Sequence, residues 1–406
     1  MHQLFLRATL VLSLLLLSFN LFAQLPTTVF TDSLASQSLG ETRQLKIQVP
    51  HSPDPDKRFP VVVLLDGESL FDQLKTVQQN YQGGFLPDMV MVSVINGNNR
   101  TLNFTPSKVT ERNGAPYTEA SGGAAAFRSF IKDELLPYLK QNYPASDYRI
   151  LIGHSYAGLF AIDTLLEDPE LFNNYLAIDP SLDWDEQVVV KKAATQLKTL
   201  EGKGLFVSIG GVLHMQDPSI TLDNVMEDST DYTAFARANL TFRNLAGGTP
   251  GADRFMWNFY EDELHGTIPL QSMIHGLKHL FEWYRIENVT LFNDPATPTA
   301  TLVKLVEDRA AKLERELGYV EPPFEEELLT MLGYMNTSWG NLQTAKAFFD
   351  FGVKYYPNSA NSWDSLAEYY EGQAAWQKAY DAQSKAVALD GDDYFTKRLD
   401  AIKAKM

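Results

Sequence analysis

The 406-residue chain contains no cysteine. This absence excludes a disulfide scaffold, a thiol nucleophile, an iron–sulfur cluster, a cysteine-ligated zinc site and a lipid-modified cysteine. Basic residues are few, because 34 Lys and Arg oppose 51 Asp and Glu and give a formal net charge of −17 at pH 7. Such an acidic surface repels phosphate backbones and anionic headgroups, so we expect neither nucleic-acid nor membrane-surface partners.

Long hydrophobic runs are also absent, with one exception at the amino terminus. Arg7 precedes an apolar run, Ala8–Phe22, which is too short to span a bilayer and has the length of a secretory signal core. Residues 1–23 are therefore predicted to be a signal peptide cleaved after Ala23. The rest of the chain is predicted to be periplasmic or secreted, without a membrane span. An amino-terminal membrane anchor is the alternative.

Residues 24–292 alternate short apolar runs with amphipathic segments of helical period. The runs are rich in aliphatic residues, as in strands buried on both faces of a mostly parallel sheet. This alternation predicts an α/β-hydrolase domain with helices on both faces of the sheet. The polar stretch 96–123 is predicted to be a loop over the sheet. The predicted strands are Leu45–Val49, Pro60–Leu65, Met89–Ile95, Arg149–Gly153, Asn174–Ile178, Leu205–Ile209 and Phe255–Tyr260.

The remainder of the chain has only helical periodicity. Residues 293–300 are rich in Pro and Thr and are predicted to be a linker, and residues 301–406 a small all-α domain. A period of 34 residues in this domain is typical of tetratricopeptide repeats. Because such repeats form concave binding surfaces, a protein or peptide partner is a candidate there. The matched pairs are Leu329 and Trp363, Leu332 and Leu366, Gly340 and Ala374, Leu342 and Trp376, Ala345 and Ala379, Gly352 and Ala386, and Pro357 and Gly391.

A candidate nucleophile lies in the segment Tyr148–Gly158. The segment predicts a buried strand, a tight turn centred on Ser155 and a helix that begins at Tyr156. Small residues at 153, 157 and 158 let the strand and the helix approach each other and force the serine outward, as in a nucleophile elbow. The positive end of the helix dipole then points at Ser155 and favours the alkoxide.

A serine nucleophile requires a base and an acid. His265 follows the last predicted strand, where the base of this fold is expected. The acid is expected after the strand Leu205–Ile209, and we favour Asp228, with Glu227 and Asp217 as alternatives. The other carboxylates of this loop are Asp223 and Asp231.

No metal or organic cofactor is implied by the sequence. His275 and His279 lie one helical turn apart, but no third ligand accompanies them in the sequence pattern, so we interpret both as structural.

Two backbone donors are predicted to bind the oxyanion. One is the N–H of Tyr156, and the other belongs to the loop of Gly67 and Glu68 after the strand Pro60–Leu65. The predicted substrate-binding residues lie in the long loop. There Arg100, together with Lys108 and Arg112, is predicted to contact an anionic group of the substrate, and Phe104 or Tyr117 is predicted to stack on the rings of the substrate. The other interpretation, which we favour for the three basic residues, is that they are simply solvated.

Five segments together resemble the esterase D–like esterases, which are α/β-hydrolases that include siderophore esterases and feruloyl-type esterases. The resemblance implies that Ser155 is the nucleophile and His265 the base. Two positions depart from the family pattern, because Ala157 replaces the usual glycine and Asp179 stands where serine is more usual. Some siderophore esterases use a Ser–His pair alone. The segments are Val61–Gly67, Arg100 with Phe104–Pro106, Tyr148–Gly158, Asp179–Leu182 and His265–Thr267.

The sequence therefore predicts an exported serine hydrolase that cleaves carboxylic esters through an acyl-enzyme, with a small-molecule ester as substrate. A narrower alternative is a siderophore esterase acting on a ferric catecholate lactone. A second alternative is a non-catalytic hydrolase scaffold that binds protein partners through its helical repeats. Acyl transfer would use the same residues as hydrolysis.

Overall fold

The computed structural model describes residues 25–406 except residues 53 and 113. The predicted signal peptide, residues 1–23, lies outside the described residues. The described chain divides into two compact units, an α/β unit of residues Leu25–Arg285 and a helical unit of residues Ile286–Met406. Within the described residues, none of the helices combines the length and hydrophobicity that crossing a bilayer requires.

Ten strands are present in the described part of the α/β unit. They are β1 Thr27–Ser36, β2 Glu41–Pro50, β3 Phe59–Leu65, β4 Val90–Val94, β5 Glu111–Arg112, β6 Ala115–Pro116, β7 Ala145–His154, β8 Asn174–Ile178, β9 Gly204–Gly210 and β10 Phe255–Tyr260. Eight of them form one sheet in the order β1-β2-β4-β3-β7-β8-β9-β10. The strands from β4 to β10 in this order run parallel, whereas β2 is antiparallel to both of its neighbours.

All seven predicted strands are present in this sheet. Every residue of β3, β4, β8 and β9 is buried, which explains their nearly continuous aliphatic sequences. Strand β1 was not predicted. It is an edge strand whose residues are mostly exposed or half-buried, so its sequence has no apolar run.

Helices cover both faces of the sheet, as predicted. On one face, Gly276 of a helix packs against Leu176 and Phe206. The adjacent residues Tyr175 and Ala177 point to the opposite face and belong to the main core. The helices are α1 Gly67–Tyr81, α2 Arg100–Phe104, α3 Ala124–Ser129, α4 Leu136–Asn142, α5 Tyr156–Glu167, α6 Trp184–Gln196, α7 Ala234–Gly247 and α8 Ile268–Leu280.

The predicted loop 96–123 contains regular structure of its own. It includes α2 and the two-residue strands β5 and β6, which pair with each other. Phe104 anchors this segment, because its side chain is fully buried against the rings of Phe127 and Phe160. The segment is therefore tied to the core at α2 rather than lying over the sheet as a simple loop.

In the helical unit, the first residues of the helices repeat with the predicted period of 34 residues. Two consecutive helix pairs begin at residues 326 and 342 and again at residues 360 and 376. Ala345 and its partner in the period, Ala379, are both fully buried. The period is thus structural, and assignment to the tetratricopeptide class stays a prediction. The helices are α9 Val289–Phe292, α10 Thr299–Leu317, α11 Glu326–Ser338, α12 Leu342–Tyr355, α13 Ala360–Gly372, α14 Trp376–Leu389 and α15 Asp393–Lys403.

The predicted boundaries near residue 292 require correction. The α/β unit ends at Arg285, so residues 286–292 belong to the helical unit rather than to the hydrolase domain. The physical reason is Phe292, which is buried against the rings of Phe324 and Phe348 in the helical core. The predicted linker 293–300 also extends into α10, which begins at Thr299.

Equivalent turns of the two helix pairs have the same left-handed backbone. Gly340 adopts φ 80°, whereas Ala374 adopts φ 52° at the matching position. Because a left-handed alanine is strained and Ala374 is exposed, Ala374→Gly is expected to raise the free energy of unfolding by about 0.5–1 kcal/mol. Urea titration measures the change. Ala311→Gly, at an exposed position inside α10, is the control and is expected to destabilise, because glycine is a poor helix former.

Candidate active site

Three neighbouring strands each end in a strained residue. Asp66 after β3, Ser155 after β7 and Asp179 after β8 have φ values of 59°, 60° and 42°. A non-glycine residue in such a conformation costs about 1–3 kcal/mol, and these residues concentrate at functional sites. Since β3, β7 and β8 are adjacent and parallel, their carboxyl ends bring the three residues to one edge of the sheet.

The turn at Ser155 has the geometry of a nucleophile elbow. Ser155 adopts φ 60° and ψ −118° between β7 and α5, and its N–H donates to the Ile178 carbonyl at 2.9 Å. A Cβ atom at Gly153 would lie 2.2 Å from the Ala157 carbonyl oxygen, and one at Gly158 would lie 2.9 Å from Pro180 Cβ. Gly153 is therefore required for the close approach of strand and helix that projects the serine, and Gly158 for the close approach of the helix to the turn after β8.

Gly153→Ala is expected to destabilise the α/β unit by about 2 kcal/mol, because the added methyl group overlaps backbone atoms that cannot rotate away. The measurement is the free energy of unfolding in urea. Gly266→Ala is the matched control, since a Cβ at Gly266 would contact nothing within 4 Å, and a change below about 0.5 kcal/mol is expected. Equal effects of the two substitutions would contradict the packing argument.

His265 lies in the loop after β10 and contacts a buried carboxylate. Its Nδ1 is 2.6 Å from Asp179 Oδ2, and the Asp179 side chain is 4% exposed. The other carboxylate oxygen, Asp179 Oδ1, accepts the Gly210 N–H at 3.1 Å. The ring of Phe235 stands edge-on to the imidazole at 5.8 Å. Asp179 and Phe235 thus fix the orientation of His265.

The acid expected after β9 is not beside His265, which corrects the preference for Asp228. Asp228 accepts hydrogen bonds from the N–H and hydroxyl of Thr230, both at 2.6 Å, and lies 3.5 Å from Arg237. Its bonds to Thr230 lower the pKa of Asp228. Asp217 accepts from Ser219 in the same way.

The second alternative, Glu227, has an exposed side chain. Asp179 follows β8, one strand earlier than expected, and in the sequence it is distinguished only as a departure from the family pattern. That departure is the available signal, because a carboxylate in place of a small hydroxyl directly after a central strand indicates a specific role for the carboxylate.

The surroundings of Ser155 include a second hydroxyl group and the imidazole of the preceding residue. Ser155 Oγ lies 3.2 Å from Ser181 Oγ. His154 packs its ring against that of His265, with centroids 4.5 Å apart. Burial, reinforced by the neighbouring His265, lowers the pKa of His154 to about 4. A neutral imidazole therefore lies against His265 at neutral pH, with the two ring planes tilted by 39°.

The predicted oxyanion loop begins at the end of β3. Gly67 starts α1, and a Cβ there would overlap Ser93. Leu64 of β3 pairs with Ile152 of β7, so the start of α1 is next to the start of α5 and Tyr156. The Glu68 carboxylate accepts the Asn96 N–H at 2.8 Å, which ties the loop to the end of β4.

Arg100 holds the end of β3 against the end of β7. It forms a two-pronged pair with Asp66, with Nε–Oδ1 and Nη2–Oδ2 distances of 2.7 and 2.6 Å, and donates to the His154 carbonyl at 3.1 Å. Burial raises the pKa of Asp66, and Arg100 opposes that rise. Arg100 is thus engaged within the protein.

The other two predicted substrate-binding residues lie in different environments. Phe104 is a fully buried core residue, so the prediction that it stacks on a ligand is wrong. Tyr117 is half-buried and packs edge-on against Trp184 at 5.6 Å.

In the segment 96–123, Arg112 contacts the residue that follows Ser155. Its guanidinium contacts the Tyr156 hydroxyl, lies 2.8 Å from Asp183 Oδ2 and stacks over the Trp184 ring at 5.2 Å. These contacts fix the side chain of Tyr156, the residue after the nucleophile, and thereby restrict the movement of its backbone.

The two histidines of α8 have protein partners. His275 Nδ1 is 2.8 Å from the Tyr260 hydroxyl, and His279 Nε2 is 3.1 Å from the Arg254 carbonyl. Among the described residues, three or more His, Asp or Glu side chains do not come together in an arrangement suited to a metal ion.

A protein-family model described as "Putative esterase" matches residues 36–241, about half of the chain. The chain is 29% identical over 175 residues to the ferri-bacillibactin esterase BesA of Bacillus subtilis, a match of 39% of this chain and 60% of BesA. It is 28% identical over 158 residues to the apo-salmochelin esterase of Escherichia coli O6:H1, a match of 36% of this chain and 49% of that protein. The chain therefore spans about half to 60% of these relatives.

Solved structures share the fold. An IroE-like serine hydrolase from Shewanella oneidensis superposes with a TM-score of 0.62 at 24% identity, covering 81% of this chain and all of that one. This likeness concerns the fold, and it agrees with the α/β-hydrolase architecture described above.

Proposed function

Because the chain belongs to this esterase family, we propose that it hydrolyses carboxylic esters through an acyl-enzyme formed on Ser155. The observation that supports the proposal most strongly is the 2.6 Å contact between His265 Nδ1 and the buried carboxylate of Asp179, beside the strained turn of Ser155. Asp179 holds the imidazole in the tautomer whose Nε2 is free to accept a proton.

The reaction proceeds in two halves. His265 takes the proton of Ser155 Oγ as the oxygen attacks the ester carbonyl, and a tetrahedral oxyanion forms. The N–H of Tyr156 and the Gly67–Glu68 loop stabilise this oxyanion, aided by the dipole of α5. His265 then protonates the leaving alcohol. Water, deprotonated by His265, releases the carboxylic acid and regenerates Ser155 Oγ–H. These steps need no cofactor.

Ester hydrolysis tests the proposal directly. The purified protein is assayed with p-nitrophenyl esters from acetate to octanoate, and a fluorophosphonate probe that labels activated serines is applied in parallel. Turnover of at least one ester together with stoichiometric labelling is expected, and the chain-length profile sizes the acyl site. Absence of both turnover and labelling would contradict the proposal.

A siderophore ester is the narrower candidate substrate, and the similarity to the ferri-bacillibactin and apo-salmochelin esterases favours it. The test is incubation with a catecholate trilactone, with and without iron, followed by mass spectrometry of the products. Linear trimers, dimers and monomers would support this candidate. Intact trilactone in the presence of p-nitrophenyl ester turnover would exclude it.

We further propose that the protein is exported to the periplasm or the medium after cleavage at Ala23, and that the helical unit binds a protein or peptide partner. The short apolar run of residues 8–22 supports the first proposal. The 34-residue period of helix pairs supports the second. Amino-terminal sequencing of the protein from the cell envelope tests the cleavage site.

A further inference from the structure

Exposed apolar side chains are concentrated around the loop that contains His265. Leu264 precedes the histidine and is 57% exposed, and Val212, Met215 and Tyr232 are 53%, 82% and 49% exposed. We call these four residues the apolar rim. Single exposed apolar residues are common on protein surfaces, but four on adjoining loops beside one catalytic group form a patch.

Backbone and ring contacts join the two loops that form the apolar rim. The Gly211 N–H donates to the Glu263 carbonyl at 2.8 Å, so the loop after β9, which contains Val212 and Met215, lies against the loop of His265. The rings of His214 and Tyr232 are 5.1 Å apart, and Tyr232 lies three residues before Phe235, whose ring contacts that of His265.

The proposed chemistry places the alcohol portion of the ester at this rim. His265 gives its proton to the leaving alcohol oxygen, so that oxygen lies against the imidazole during acylation. The group attached to the oxygen then extends over the loops beside His265. The acyl portion extends to the other side, toward Tyr156 and the end of β3.

The charges around the site disfavour an anionic substrate. The two guanidinium groups near Ser155 are already paired, Arg100 with Asp66 at 2.6 Å and Arg112 with Asp183 at 2.8 Å. The loop of His265 also contains the exposed carboxylates Glu261 and Asp262. An alcohol portion of either charge would lose water against the apolar side chains. The exposed carboxylates add repulsion for an anion, and their attraction for a cation is screened by solvent.

From these observations we infer that the site selects esters whose alcohol portion is apolar and uncharged. This inference rests on the proposed function, because it takes His265 as the group that protonates the leaving alcohol. It concerns the leaving group alone, so an ester with a polar acyl portion is compatible with it. A ferric catecholate trilactone, whose leaving alcohol carries an anionic catecholate, is not compatible with it, so the two candidates compete.

Three aryl acetates of similar size test the inference on the full chain. They are 3-tert-butylphenyl acetate, its cationic isostere 3-trimethylammoniophenyl acetate and the anionic 3-carboxyphenyl acetate. Each kcat/KM is divided by the rate constant for hydroxide hydrolysis to remove differences between the leaving groups. The tert-butyl ester is expected to exceed both charged esters by about tenfold. A normalised value for either charged ester that equals or exceeds it would overturn the inference.

Substitutions at the apolar rim provide a second measurement. The double variant Met215→Ser/Leu264→Ser is expected to lower the ratio of kcat/KM for 3-tert-butylphenyl acetate over phenyl acetate about tenfold. The control is Met256→Ser at the start of β10, where the side chain is 37% exposed at the opposite end of the strand from His265. An unchanged ratio in the double variant, or an equal fall in the control, would overturn the assignment of the rim.

Failure of the inference is distinguishable from failure of the proposed function. If none of the three acetates is hydrolysed faster by the wild type than by Ser155→Ala, the proposed function fails and the inference with it. Serine-dependent hydrolysis of all three at equal normalised rates leaves the esterase proposal intact and overturns the inference about the leaving group.

Discussion

Ser155→Ala is expected to lower kcat for p-nitrophenyl acetate by a factor on the order of 10⁶. The substitution removes the oxygen that forms the acyl-enzyme, and no other hydroxyl is presented on the strained turn at φ 60°. The measurement is steady-state hydrolysis at enzyme concentrations high enough to observe the residual rate. The variant should fold normally, because alanine retains the backbone constraints of serine at this position.

Ser181→Ala is the matched control for loss of a hydroxyl at this site. Ser181 Oγ lies 3.2 Å from Ser155 Oγ, and its removal deletes one neutral hydrogen bond without removing a reacting atom. A loss of about tenfold or less is expected. Comparable losses in the two variants would contradict the assignment of Ser155 as the sole nucleophile.

Asp179→Asn is expected to lower kcat about 10⁴-fold, with little change in the free energy of unfolding. The amide keeps the shape of the side chain but presents the wrong partner to His265 Nδ1, and it stabilises neither the required tautomer nor the imidazolium. The measurement is kcat for the same ester, together with urea titration. The rate of labelling by the fluorophosphonate should fall in parallel.

Asp228→Asn is the matched control for this prediction. Asp228 bonds to Thr230 and Arg237 within its own turn, so the same chemical change there should alter kcat by less than about threefold. If instead Asp228→Asn were the inactive variant, the contact between His265 and Asp179 would not describe the working enzyme. If neither variant lost activity, a Ser155–His265 pair would suffice.

The parallel strands were predictable because burial on both faces requires a nearly continuous run of apolar residues. Runs such as the residues of β3 contain little but aliphatic side chains, and this pattern requires no knowledge of tertiary contacts. The edge strand β1 lacks such a run of aliphatic residues, because its residues are only partly covered. Its pairing with β2 follows from the hairpin that connects the two strands. Phe292 was assigned to the wrong unit because an apolar residue does not reveal which core it enters.

The candidate site could be predicted only as far as local geometry determines it. The turn at Ser155 depends on the small residues 153 and 158 within a few positions of the serine, so the sequence identifies it. The partner of His265 depends on which carboxylate is buried beside it. Asp179 directly follows β8 and is buried against the histidine, whereas Asp228 lies far along the loop after β9 and bonds within its own turn, and no single segment of the sequence shows this difference.

The pairing of Arg100 with Asp66 was not predicted from the sequence, for a related reason. An arginine in a polar segment is consistent with solvation, ligand binding or a structural ion pair, and only the long-range partner decides among them. Here Asp66, at the end of β3, fixes Arg100 in a two-pronged pair 34 residues away in sequence. Pairing of this kind explains how a strained Asp66 is held in place beside the nucleophile turn.

The central claim is that Ser155 is acylated during turnover, and trapping the intermediate tests it most directly. The protein is mixed with excess p-nitrophenyl acetate, quenched in acid during steady state, digested and mapped by mass spectrometry. We predict one acetyl group on the peptide that contains Ser155, absent from Asp179→Asn samples quenched at equally early times. An acetyl group on a different residue, with Ser155 unmodified, would contradict the account.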